Sequence, residues 1–165
     1  MKKNLMIMIC LILICSLAGC RKNKTDNKPA EENTTNDSTA NETVSDDTIN
    51  KKLSLKIGNT EVDVFWANND SVKELKKMAK NALTIELELY GGFEQFGSLG
   101  VSIPSNDITI TANCGDIMLY QSNKIVLFYG SNTYSYTQLG HINLRNTEIT
   151  ELLSEESVTI TISLK

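Results

Sequence analysis

Arginine and histidine are nearly missing from this chain, which has only Arg21, Arg145 and His141 to set against a plentiful supply of lysine. A single histidine with no cysteine, aspartate or second histidine at ligand spacing does not make a metal site. With 16 basic against 20 acidic residues and a net charge of -4, the chain has no basic patch or tail to neutralise a phosphate backbone. Nucleic acid is therefore excluded as an expected partner. No Gly-x-Ser-x-Gly occurs, so an esterase-type nucleophile has no turn to sit on. Gly91-Gly92 and Gly97-Ser98-Leu99-Gly100 match neither the P-loop nor the dinucleotide spacing, and they read instead as loop glycines. No internal repeat is present, and nothing points to a cofactor.

Four cysteines are present, and their positions are more telling than their number. Lys2 and Lys3 precede an almost unbroken apolar run from Leu5 to Leu17, which is short for a membrane-spanning helix and has the layout of a secretory leader. The leader closes in Leu17-Ala18-Gly19-Cys20, which is similar to a bacterial lipobox. That resemblance implies diacylglyceryl transfer to Cys20, cleavage before it, and a mature chain anchored on the extracytoplasmic face of a bacterial membrane; the alternative is a retained single-span anchor. Paired acyl chains are what stable anchoring requires. Arg21 stands where, in lipoprotein sorting, an aspartate signals inner-membrane retention. Cys10 and Cys15 leave with the leader, so Cys114 alone remains to the folded part and cannot form an internal bridge. It reads as a small buried hydrophobe, with a reactive thiol as the alternative.

Residues 20–52 change abruptly to Asn, Thr, Asp, Glu, Lys and Ser, with Pro29 as their only proline. Such a segment buries too little apolar surface to offset its ordering entropy, and a disordered tether is expected. About thirty flexible residues reach roughly 30 Å, enough to clear a headgroup layer.

From residue 53 to 165 the pattern is that of strands. Leu53, Leu55 and Ile57 alternate with polar residues, Gly58-Asn59 makes a turn, and Val62, Val64 and Trp66 continue the alternation, predicting one hairpin. Leu83 to Leu89 and Val158 to Leu164 alternate in the same way, as half-exposed antiparallel strands do. Ile108 to Thr111 is a shorter strand. Ile117 to Tyr120 and Ile125 to Tyr129 are apolar on both faces, which places them centrally. Ser71-Val72-Lys73-Glu74 has capping-box spacing and opens a helix whose stripe is Val72, Leu75, Met78 and Ala79. Thr147 to Ser154 predicts a second helix with Ile149, Leu152 and Leu153 inward. Together these elements predict a mainly β, small antiparallel barrel with two short helices.

Three segments carry a family resemblance: Gly115-Asp116-Ile117-Met118-Leu119-Tyr120, Leu127-Phe128-Tyr129, and Tyr134-Ser135-Tyr136-Thr137-Gln138-Leu139-Gly140. Asn68-Asn69-Asp70-Ser71-Val72 and Gly92-Phe93-Glu94 add to it. Over about Leu53 to Lys165 the chain resembles the bacterial cyclophilin-like domain family, small barrels with no established activity. In true cyclophilins a strand arginine polarises the prolyl amide. The single arginine of the domain, Arg145, follows Asn143-Leu144 in a polar loop and lies in no aromatic-x-Arg motif, and a shared barrel does not transfer an activity.

No catalytic residue is assigned. The expected function is a noncatalytic, membrane-anchored module, monomeric in its domain, that binds a peptide or small ligand. A prolyl isomerase-like folding helper is the alternative, and a carbohydrate-active enzyme using Glu94 with Asp116 a distant one. Tyr120, Tyr129, Tyr134 and Tyr136 crowd one hairpin region and suit either a barrel wall or a recognition surface. The expected ligand contacts are Glu94, Tyr129, Tyr134 and Tyr136, from the Gly91–Gly100 and Tyr129–Gly140 segments.

Overall fold

The computed structural model describes residues 50–165. The expected leader, Cys20 and the expected tether up to residue 49 lie outside the described residues. Among the described residues, no helix is long and apolar enough to cross a membrane.

The strands and helices run in the order β1 (Leu53–Ile57), β2 (Thr60–Val62), β3 (Val64–Trp66), α1 (Asp70–Met78), β4 (Leu83–Tyr90), β5 (Glu94–Ser98), β6 (Ile108–Ala112), β7 (Asp116–Tyr120), β8 (Lys124–Phe128), β9 (Asn132–Ile142), α2 (Asn146–Leu153) and β10 (Ser157–Leu164), with a 3-10 turn at Ala79–Asn81 after α1. All pairings are antiparallel, along the path β2-β1-β10-β4-β5-β8-β7-β9-β3, with β6 paired to β9 off this path. The two apolar-on-both-faces strands, β7 and β8, are indeed internal to this order. The sheet curls into a nearly closed barrel.

Closure comes from a place the alternation reads as continuous. The predicted second arm of the first hairpin, Val62 to Trp66, is divided at Asp63: Val62 pairs with Leu55 on β1, whereas Val64 pairs with Ile142 on β9. One extended stretch thus belongs to both ends of the strand path. A backbone hydrogen bond from Asn143 to the Asp63 carbonyl, 2.9 Å, holds the seam, and the Asn143 amide reaches the Asp63 carboxylate at 3.1 Å. The ladder between β1 and β10 continues to Lys52 and Lys165, whose backbones exchange two hydrogen bonds.

Inside the barrel, Leu55, Leu87, Ile117, Leu119, Ile125, Leu127, Ile160 and Ile162 are fully buried, and Val62, Ile85 and Val158 nearly so. Val64 and Trp66, expected to be buried, are half-buried and pack against the edge of this core. The helices contribute Val72, Leu75, Ile149 and Leu153 to the same cluster, with Leu152 only partly buried. Helix α1 is capped by Asn69 rather than by Ser71: the Asn69 carbonyl oxygen accepts from the Val72 amide at 2.9 Å, while its NH2 donates to the Gln138 carbonyl at 2.7 Å. A carboxamide caps the helix through its oxygen and ties it to β9 through its NH2 at once. Ser71 instead donates to the Pro104 carbonyl, 2.6 Å away. Gly97, read from sequence as a loop glycine, lies within β5, where a Cβ would stand 2.6 Å from an Ile85 methyl and 2.7 Å from the Glu86 carbonyl. Its role is close approach of strands.

Candidate functional site

Strand alternation sends every second side chain of the wall outward, and on β5, β7, β8 and β9 the outward set includes large apolar and aromatic residues. Met118, Val126, Phe128 and Tyr136, together with Ala112 of β6, form a second buried cluster separate from the barrel interior. Phe93, Phe96, Ile110 and Tyr120 pack around it. The outer wall is therefore a second apolar surface, and its aromatic rings meet edge-on: Phe128 and Tyr136 have centroids 5.6 Å apart, Tyr120 and Tyr134 5.8 Å, and Tyr90 and Phe96 6.1 Å. Such contacts set rings at fixed angles and leave π-faces and edges to border open space.

A cavity of about 460 Å³ opens among these rings. Tyr90, Phe96, Tyr120, Tyr134 and Tyr136 supply its walls, and Glu94, Gln121, Lys124, Val126 and Asn132 complete the lining. This volume is in the range of small-ligand pockets. Tyr90 and Tyr134 are exposed at the mouth, while Tyr136 is buried and accepts a hydrogen bond from the Asn132 amide, 3.1 Å. Lys124 lies with its Nζ 5.6 Å from the Tyr120 ring centroid and donates to the Gln121 side chain at 3.0 Å.

Glu94 is the unusual member. It is 7 % exposed, and its Oε2 is buried without a hydrogen-bond partner. Desolvation raises its carboxyl to about 7, against an ordinary value of 4.5. Burial also raises the Tyr136 phenol, with the Glu94 charge as the next contribution. The neighbouring residue on β5, Gln95, points inward and donates to the Leu153 and Glu155 carbonyls at 2.9 and 2.6 Å. Adjacent residues on one strand thus serve the inner core and the outer cavity.

Of the residues expected from sequence to contact a ligand, Glu94, Tyr134 and Tyr136 are brought together. Tyr129 is not in this lining: it packs half-buried against the inner core, and its amide donates to the Phe93 carbonyl at 3.0 Å. Tyr90, Phe96 and Lys124 were missed, and Tyr120, grouped with the crowded tyrosines but not among the expected contacts, joins the lining. For Phe96 and Lys124 a signal was present in the period of two, since Glu94 and Phe96, and Lys124 and Val126, are pairs two apart on single strands, as are Tyr134 and Tyr136.

The other conspicuous residues lie elsewhere. Asp116 and His141 pair across β7 and β9, with His141 Nδ1 2.8 Å from Asp116 Oδ1. Asp116 is therefore not a partner of Glu94 in the cavity. Arg145 precedes α2, and its guanidinium donates to Glu148 at 2.9 Å from a side chain that is 80 % exposed. That ion pair holds the Glu148 carboxyl down at about 2. Cys114 is half-buried, and burial pushes its thiol up, away from the reactive range. Among the described residues no three His, Cys, Asp or Glu side chains gather as metal ligands.

A second opening, about 800 Å³, runs beside the β2–β3 seam, but its lining acids are already engaged, Glu61 by Ser54 and Lys165 and Asp63 by Asn143. A third, about 540 Å³, lies at the start of α1, where the Asn69 and Ser71 side chains are bonded. Of these three openings among the described residues, the aromatic cavity is the one that combines a preformed apolar wall with a buried, unpartnered acid.

The sequence matches no curated protein. The profile of the cyclophilin-like family matches residues 55–163, from within β1 to within β10. A barrel closed by the split Val62–Trp66 segment, with this match along nearly all its strands, means that the chain belongs to the cyclophilin-like family.

Proposed function

We propose that this protein is a lipoprotein anchored through Cys20 to the extracytoplasmic face of a bacterial membrane, and that its cyclophilin-like barrel is a noncatalytic module binding a peptide or small ligand in the aromatic cavity of the outer wall. The observation that carries the binding reading is Glu94: a 7 % exposed acid with a buried, unpartnered oxygen in a ring-lined cavity. Leaving such a group unsatisfied costs about 1–3 kcal/mol, which a ligand donor would recover. Hydroxyls and rings around it supply orientation and contact area.

Two enzymatic readings find less support. Isomerase chemistry needs a donor aimed at the prolyl amide within an apolar groove. Arg145 is engaged with Glu148 away from the cavity. Hydrolysis of a glycosidic bond calls for two carboxylates flanking a cleft, and Glu94 is the one carboxylate in this lining.

The test is to screen the full chain against short peptides, proline-containing ones included, and small molecules, with amide shifts mapping each hit. Binding that perturbs Glu94, Tyr134 and Tyr136, and is weakened by Tyr134→Ala, is expected. In parallel, a proline-peptide isomerisation assay should show no acceleration above background. Acceleration that Arg145→Ala abolishes would replace this reading with the isomerase one.

A further inference from the structure

Building on that reading of the cavity, we infer that its ligand is a protonated amine on an apolar chain, with the ammonium N–H donating to the Glu94 carboxylate and the charge and first methylenes facing the surrounding tyrosine rings. The argument rests on three observations. Glu94 lines the cavity and its carboxyl has a buried oxygen without a partner, so in the carboxylate form the missing group is a hydrogen-bond donor. The walls are electron-rich rings from four strands, Tyr90, Phe96, Tyr120, Tyr134 and Tyr136, and ring faces attract cations. The chain's own Lys124 already places an ammonium 5.6 Å from the Tyr120 centroid at this cavity, yet donates to Gln121. An ammonium therefore suits this wall, and the site beside Glu94 is left for another. A neutral donor would satisfy the oxygen and leave the rings' electrostatic attraction unused. A carboxylate or phosphate would meet Glu94 as a repelling acid.

Ionisation of Glu94 is coupled to this binding. The ligand needs the carboxylate form, while desolvation holds the free site's carboxyl at about 7. Below that value binding expels the Glu94 proton to solvent, forming an ammonium–carboxylate pair. The groups facing Glu94 are Tyr90 from β4, Tyr120 from β7, Lys124 from β8, and Tyr134 and Tyr136 from β9. The Tyr120 and Tyr136 phenols are raised above their ordinary range, chiefly by burial, and stay neutral throughout. Affinity should therefore rise with pH and level off above 7. Between pH 6 and 5 it should fall about tenfold.

The test uses the full chain in a polyoxyethylene detergent, titrated with n-butylammonium, with butan-1-ol as the uncharged control and with butyltrimethylammonium as a cation lacking an N–H. N-acetyl-lysine methylamide is a fourth arm, separating a peptide-borne amine from a free one. Butylammonium should shift the amides of Glu94, Tyr120, Tyr134 and Tyr136. Butan-1-ol should bind at least about tenfold more weakly, and the trimethylammonium compound should fall between them. Glu94→Gln should lose about tenfold in butylammonium affinity and abolish its pH dependence, with circular dichroism confirming the fold. Lys124→Gln, which removes a like charge from the lining, should tighten binding two- to threefold at low salt, an arm that does not depend on the Glu94 variant folding. Butan-1-ol binding as tightly as butylammonium would overturn the amine assignment while leaving a binding cavity in place. Unmoved amides at saturating butylammonium would overturn it as well, whereas the proposed binding function fails only if the wider screen also finds nothing at this wall.

Discussion

Val62 and Val64 are two residues apart, yet they pair with strands from opposite ends of the sheet, Val62 with Leu55 and Val64 with Ile142. The barrel is drawn together at Asp63, and the parity of this short segment decides which side chains meet the core. Inserting one residue after Asp63 turns Val64 and Trp66 outward and Phe65 inward if β3 is thereby shifted one position along β9. Inserting two preserves the faces. The single insertion should cost about 1–2 kcal/mol more than the double one, given the half-buried state of Val64 and Trp66. Denaturant unfolding of the two variants measures the difference, and equal losses would mean that this seam does not govern closure.

Glu94 makes stability depend on pH in a direction opposite to that of a salt-bridged acid. Below the ordinary value of 4.5 the carboxyl is protonated whether the chain is folded or not. From there to about 7 the unfolded chain ionises while the folded one keeps its proton, so the folded state binds more protons and loses stability as pH rises. Above 7 the loss is complete. Because the cavity is open to water, the shift is discounted to about 1–2 kcal/mol. Glu94→Gln should match the wild type near pH 4 and exceed it by this amount near pH 8. Thermal melts at the two values decide it.

Gln95, facing the other way, holds the carbonyls of Leu153 and Glu155 at the end of α2. Gln95→Ala leaves those acceptors with less satisfaction and opens space in the wall, at an expected cost of about 2–3 kcal/mol. Hydrogen exchange should quicken first in α2. A stability loss under 0.5 kcal/mol, roughly the scale of a surface change, would count against the role.

Cys20→Ala removes the thiol that lipid transfer requires. The variant should leave the membrane fraction or accumulate with its leader uncleaved, with mass spectrometry showing no acyl adduct. A variant that fractionates and is processed as wild type would favour another means of attachment.

Much of the barrel was legible in the chain because burial on one side of a strand imposes a period of two. Leu83 to Leu89 and Val158 to Leu164 display that period and became paired strands β4 and β10. The two-sided apolar character of Ile117 to Tyr120 and Ile125 to Tyr129 likewise marked β7 and β8 as internal, and the second apolar face proved to be the outer wall beneath the cavity. Glu94, Tyr134 and Tyr136 were accessible as candidates because an acid beside glycines and a tyrosine pair two apart are conspicuous locally.

What the sequence by itself determined, then, is the alternation, the helical stripes and the supply of rings and acids, since each depends on residues close along the chain. Tertiary structure alone decided where Val62 to Trp66 divides, that Asn69 rather than Ser71 caps α1, and that Tyr90 and Tyr120 join Glu94 while Tyr129 and Asp116 do not. These outcomes depend on contacts between residues far apart in sequence, as with Asn69 and the Gln138 carbonyl. The cavity exists because four strands bring their outward side chains to one patch of a curved wall. Local periodicity fixes which face a side chain takes; only strand order fixes which other side chains share it.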